Sequence, residues 1–132
     1  MTLAVDTSAL AAVILGEPDA ELYLSALVNH AGDIHLSAVT LVEAGIVVEA
    51  RHGREATDDL QVLLGRVGAT TDPVGPDQAR AAVAAWRRFG KGRHPAGLNF
   101  GDCFSYALAR HLAAPLLFKG KDFAQTDIGS AL

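Results

Sequence analysis

Apolar and polar positions along the chain fall into blocks whose period switches between strand-like and helix-like. Leu3-Ala-Val5 is a short apolar run ending at Asp6-Thr-Ser, and Ala9 to Leu15 is apolar and alanine-rich until Gly16, which predicts a strand, a tight turn and a short helix. Pro18 opens a second helix with Leu22, Leu24, Leu27 and Val28 at helical spacing, closed by Gly32-Asp33. Ile34-His-Leu36 predicts a second strand, and Ser37 is placed to cap a helix from about Ala38 to His52, stopped by Gly53. That helix is apolar almost all round, which implies burial in the core or in a subunit interface.

The second half repeats the alternation. Arg54 to Val67 is amphipathic through Leu60, Leu63, Leu64 and Val67, and Thr70-Thr71 after Gly68 predicts a third strand. Pro76 begins a helix through Ala79, Ala82, Val83 and Trp86, with Trp86 expected in the core. It gives way to Phe89-Gly-Lys-Gly-Arg-His-Pro-Ala-Gly97, whose three glycines and one proline predict a flexible or ligand-gripping loop. Asn99 caps a last helix from Phe100 to Leu112, Pro115 to Phe118 predicts a fourth strand, and the tail from Ala124 carries little pattern. Strands alternating with helices, without repeat or long linker, make residues 1–132 one α/β domain with a short, mostly parallel sheet. Such sheets hold their ligands at the carboxyl ends of the strands, near the switch in strand order.

That rule selects four acids. Asp6 directly follows the first strand, and Asp122 lies four residues after Phe118. Glu43 interrupts the apolar run Leu41-Val-Glu-Ala-Gly-Ile-Val-Val48, where an unpaired buried carboxylate would cost several kcal/mol. Asp102 occupies the first turn of its helix, favoured there by the helix dipole. Singly, Asp6 can be a helix cap, although Thr7 and Ser8 could cap equally well, Asp102 an ordinary first-turn acid and Asp122 a loop residue. Together, four carboxylates without His or Cys suit a hard cation, Mg²⁺ or Mn²⁺, and metal-assisted phosphodiester hydrolysis.

Composition narrows the chemistry further. The chain of 132 residues is 50% apolar, and its single cysteine, Cys103, excludes an internal disulfide and a thiolate zinc site and reads as a small core residue. No run approaches the ~18 apolar residues of a membrane span, and the start has no signal-peptide pattern, so a cytoplasmic protein without membrane contact is expected. The net charge of −4 hides a polarity: between Gln78 and Gly101 there are five cations, Arg80, Arg87, Arg88, Lys91 and Arg93, and no acid. Such a segment either holds phosphates or is a solvated helix end. Of five histidines, none forms an i,i+4 pair, and His94 stands among the cations as a possible RNA contact. P-loop, dinucleotide and nucleophile-elbow motifs are absent.

Val5-Asp-Thr-Ser-Ala-Leu10, Leu41-Val-Glu-Ala44, Leu98-Asn-Phe-Gly-Asp-Cys-Phe104 and Leu117-Phe-Lys-Gly-Lys-Asp-Phe123, in this order and spanning the chain, resemble the PIN-domain ribonucleases, specifically the VapC toxins of toxin–antitoxin pairs. The resemblance implies a three-layer α/β/α domain with a four- or five-stranded sheet. It also implies a Mg²⁺- or Mn²⁺-dependent endoribonuclease that cuts RNA, often tRNA or rRNA, until a VapB-type antitoxin blocks it. Asp6 and Asp102 would be the principal metal ligands and catalytic acids, completed by Glu43 and Asp122. Ser8 and Asn99 would support them by hydrogen bonds, and Arg87, Arg88, Lys91, Arg93 and Lys119 would contact RNA. Asp127 is a further acid outside this set. Homodimers are common in the family, and the apolar helix around Ile46 and Val48 is a candidate interface. Many PIN domains carry Thr and Asn before the last aspartate, where this chain has Lys119-Gly-Lys121. These lysines either hold the scissile phosphate or pair with the acids and weaken metal binding.

Two other functions fit the same residues. One is a binding module that keeps the fold and the antitoxin contact but has lost productive metal binding. The other is a phosphatase or receiver-like domain with Asp6 as the phosphorylated nucleophile, although Thr7 and Ser8 stand where such domains carry a second acid.

Overall fold

The first strand is uniformly apolar because both of its faces are covered. In the computed structural model, which describes residues 1–132, β1 (Leu3–Val5) sends Leu3 and Val5 into one core and Ala4 into another on the opposite face of the sheet. From β1 the chain continues through α1 (Thr7–Ile14), α2 (Ala20–Asn29), β2 (Ile34–Ser37), α3 (Ala38–His52), α4 (Arg54–Arg66) and β3 (Ala69–Asp72). It then forms α5 (Pro76–Phe89), α6 (Phe100–Leu112), β4 (Leu116–Leu117) and a 3-10 turn at Phe123–Gln125. The first core lies under α1 to α4, and the second lies under α5 and α6 with Leu98, Leu116 and Phe123. The expected three layers are present, and the sheet has four strands, all parallel, in the order β3-β2-β1-β4.

This order places the switch point beside β1. The chain leaves β1 toward β2 and β3 and returns on its other side as β4, so the crevice opens at the carboxyl ends of β1 and β4. β4 is shorter than the Pro115–Phe118 run, and the seemingly patternless tail covers its open edge. The Leu116 N–H donates to the Gly129 carbonyl at 2.8 Å and the Ala131 N–H to the Leu116 carbonyl at 3.0 Å, which leaves no strand edge bare there.

Three helical stripes differ from their sequence expectation. On α2 the buried residues are Tyr23, Ala26 and Leu27, whereas Leu22, Leu24 and Val28 are exposed, because this helix packs chiefly against α1 and hides one narrow face. On α3 only Thr40, Ala44 and Val48 are fully buried, so Val48 belongs to the core while Val42 and Ile46 are 62% and 64% exposed. On α5 the small Ala82 and Ala85 with Phe89 form the inner face, which lets the helix lie close against α6. Trp86 is consequently turned outward and 44% exposed, not in the core.

The glycine-rich segment after α5 is a closed loop. Leu98 N–H donates to the Phe89 carbonyl and Lys91 N–H to the Leu98 carbonyl, both at 3.0 Å. His94 Nδ1 accepts from the Ala96 N–H at 3.0 Å while the ring meets Phe89 edge-on, so this histidine staples the loop. Gly90 is required for closure, since a Cβ there would overlap the Trp86 ring and carbonyl oxygen. Gly90→Ala is therefore expected to lower stability by about 1–3 kcal/mol, read as a lower urea midpoint at unchanged slope.

Candidate active site

Asp6 follows β1 in extended conformation and is the N-cap of α1. Its Oδ2 accepts from the Ser8 N–H at 3.0 Å and from Ser8 Oγ at 2.7 Å, and its Oδ1 accepts from Ser105 Oγ at 2.6 Å. Capping and site membership are thus the same geometry: the cap bond and the dipole of α1 stabilise a carboxylate that is only 3% exposed. Ser8 Oγ in turn accepts from the Lys119 N–H at 2.9 Å, which ties the segment after β4 to the end of β1.

Asp102 stands opposite in the first turn of α6, fixed by a reciprocal cap. The Asn99 side chain accepts from the Asp102 N–H at 2.9 Å, and Asp102 Oδ2 accepts from the Asn99 N–H at 3.0 Å. Burial pushes its pKa up to about 7, against the pull of the Asn99 N–H, and the charges of Asp6, Asp122 and Glu43 push it further in the same direction. Glu43, from α3, is half-buried and not orphaned: its Oε1 accepts from Thr7 Oγ1 at 2.6 Å. Gly101 permits that approach, because a Cβ there would overlap the Glu43 carboxylate.

The four acids line one cavity of about 270 Å³, together with Asn99 and Lys119. Asp122 sits exposed at its rim. No His or Cys lines the cavity, and no three His, Cys, Asp or Glu side chains converge as a ready-made cage for one ion. Mg²⁺ tolerates such openness, since it keeps several waters and takes one or two carboxylates directly. The donor set therefore fits a hard divalent cation.

The cations distribute unevenly. Lys119 does not reach for the cavity acids: its Nζ donates to Asp19 Oδ1 at 2.8 Å and Glu17 Oε1 at 3.0 Å, which raise its pKa. Arg88 pairs with Asp127 at 3.1 Å and lies over Phe89, and Asp127 also accepts from Tyr106, all away from the acid cavity. Arg80 pairs with Asp77. Arg87, Lys91 and Arg93 have no acidic partner. Arg93 covers the Trp86 ring at 4.8 Å, and Lys91 with Trp86, Phe100 and Phe104 lines an apolar groove that shares Asn99 with the acid cavity.

Sequence reasoning overlooked five residues at or beside the site, the first of them Thr7, which donates to Glu43. Ser105 is three positions after Asp102, the spacing that puts two side chains on one helix face, so its place beside the site was legible. Thr40, which shares a 3.2 Å hydrogen bond with Ser105, has no such signal, and neither have Glu17 and Asp19.

The raised Asp102 pKa sets a pH dependence. The folded metal-free protein holds this proton more tightly than the unfolded chain, so the contribution to stability is full below about pH 4 and is lost as pH rises through about 7. Asp102→Asn keeps an oxygen for the Asn99 N–H but cannot ionise. In EDTA, its melting temperature relative to the wild type should climb from pH 4 to 7 and level off above.

A model of the PIN domain matches residues 3–129. The chain is 48% identical over 129 residues to ribonuclease VapC30 of Mycobacterium tuberculosis, covering 97% of both chains. It is 46% identical over 128 residues to a ribonuclease VapC of Mycolicibacterium smegmatis, covering 97% of this chain and 98% of the relative. Among solved structures, Mycobacterium tuberculosis VapC20, a sarcin-ricin-loop-cleaving toxin, superposes with a TM-score of 0.80 at 19% identity, covering 96% of both chains. VapBC2 of Rickettsia felis, bound to a fragment of its promoter DNA, gives 0.75 at 16% identity, covering 98% and 96%. With the acid cavity at the switch point of a four-stranded parallel sheet and these relatives at nearly half identity over their full length, the chain belongs to the PIN-domain family, among the VapC ribonucleases.

Proposed function

We propose that the chain acts over its whole length as one PIN domain, a divalent-cation-dependent endoribonuclease and the toxin of a toxin–antitoxin pair. The observation that carries this reading is the gathering of Asp6, Glu43, Asp102 and Asp122 around one cavity, without His or Cys, at the carboxyl ends of β1 and β4. The ribonuclease names of relatives that match the full chain support the RNA-cleaving part.

Asp6 and Asp102 would hold a Mg²⁺ or Mn²⁺ ion directly, with Glu43 and Asp122 joining through water. Such an ion lowers the pKa of a bound water and neutralises charge on a phosphodiester. The chain's own part is to keep the acids aimed: Ser8 and Ser105 hold Asp6, Thr7 holds Glu43, and the Asn99 N–H holds Asp102. Lys91 lines the groove that shares Asn99 with the acid cavity, Arg93 covers the Trp86 ring of that groove, and these two with Arg87, all without an acidic partner, suit backbone phosphates of a single-stranded RNA. Lys119 and Arg88, engaged with Glu17, Asp19 and Asp127, are poorly placed for that role.

The partner reading is a VapB-type antitoxin, supported by the VapBC2 pair among the structural neighbours. A homodimer would bury the exposed Val42 and Ile46 of α3. No helix is long and apolar enough to cross a membrane.

The deciding experiment is cleavage of total bacterial RNA by purified, antitoxin-free protein in Mg²⁺, Mn²⁺ or EDTA. Discrete fragments that need the metal are expected. Asp6→Asn should lower cleavage more than about a hundredfold while the fold persists, because Asn caps a helix as well as Asp does. Folded wild-type protein that neither cuts RNA nor binds Mn²⁺ would instead establish the binding module. Gly101→Ala is expected to melt within a few degrees of the wild type yet cut poorly, since the new methyl displaces the Glu43 carboxylate from Thr7.

A further inference from the structure

We propose that Glu17 and Asp19 are positioning residues of the acid cavity: they hold the Lys119 ammonium off its carboxylates and so leave the charge of those carboxylates free for a divalent cation. This rests on the metal-dependent reading above. Lys119 lines the same cavity as Asp6, Glu43, Asp102 and Asp122. Its main-chain N–H donates to Ser8 Oγ, which itself donates to Asp6 Oδ2, so the lysine backbone sits one hydroxyl away from the Asp6 carboxylate. A flexible four-carbon stem rooted there would by default carry its ammonium onto the nearest acids. Only the direction imposed on the side chain prevents this.

The Glu17-Pro18-Asp19 segment between α1 and α2 imposes it. Pro18 fixes the backbone between the two acids, so both carboxylates are presented from one stiff hook. Asp19 occupies the N-cap position of α2 but makes no cap hydrogen bond with its side chain, and its carboxylate accepts from Lys119 Nζ instead. Glu17 supplies the second acceptor at 3.0 Å. The lysine is thereby anchored at both ends, by its N–H at Ser8 and by its ammonium at the hook, with its side chain 34% exposed. Lys121, two residues on, has no acidic partner and is exposed, so the anchoring singles out the lysine that faces the cavity.

The test is calorimetric titration of the full chain with MnCl₂ in about 0.3 M salt, which damps through-space effects of the altered charges. The combined Glu17→Gln and Asp19→Asn variant should bind Mn²⁺ at least about tenfold more weakly, the effect of one unit charge on a divalent ion at about 6 Å in water. Adding Lys119→Gln should restore affinity to near the wild-type value, and Lys119→Gln alone should bind at least as well as the wild type. A crystal structure of the double variant should find Lys119 Nζ on a cavity carboxylate. Unchanged affinity in the double variant, failure of Lys119→Gln to restore it, or weak binding by Lys119→Gln alone would overturn the proposal. If the wild type itself gives no heat with Mn²⁺, the metal reading fails, and the position of Lys119 in the double variant decides this proposal by itself.

Discussion

A single carboxylate, Asp6, joins the end of β1, the start of α1, the middle of α6 and, through Ser8, the segment after β4. Burying a charge to 3% exposure is expensive unless every lone pair in use meets a donor, and here three donors and a helix terminus meet it. The neighbouring elements are held in register by the same bonds that satisfy the buried carboxylate. The acid converts a sheet edge into a fixed frame for the other three carboxylates.

That frame gathers like charges, which repel. The repulsion is visible at Asp102, whose proton is held to about pH 7 by burial with the charges of Asp6, Asp122 and Glu43 adding to it. The apolar cores on the two faces of the sheet carry the opposing stability. The acid cavity is accordingly a place where like charges crowd, and a divalent cation bound as proposed would offset them.

Much of this was legible from the chain. The run Leu3-Ala-Val5 before Asp6, the cap residues Ser37 and Asn99, and the terminating Gly53 each carry a local signal, and the structure places the strands and helices they mark. Glu43 was conspicuous because a carboxylate in an apolar helix demands a reason. What the chain concealed depends on which face of a helix meets a neighbour. Val83 and Trp86 share their period with Ala82 and Ala85, but only the smaller pair fits the close approach of α6, and periodicity does not encode that distance. The partnership of Lys119 with Glu17 and Asp19 spans about a hundred residues, so no local pattern announces it.

The outward position of Trp86 has an optical consequence. It is the one tryptophan of the chain, it stands on α5 beneath the Arg93 guanidinium, and it borders the groove that contains Lys91 and Phe100. Ultraviolet emission from this protein therefore reports on the mouth of that groove and on the loop closed by Gly90, while the two apolar cores remain spectroscopically dark at tryptophan wavelengths.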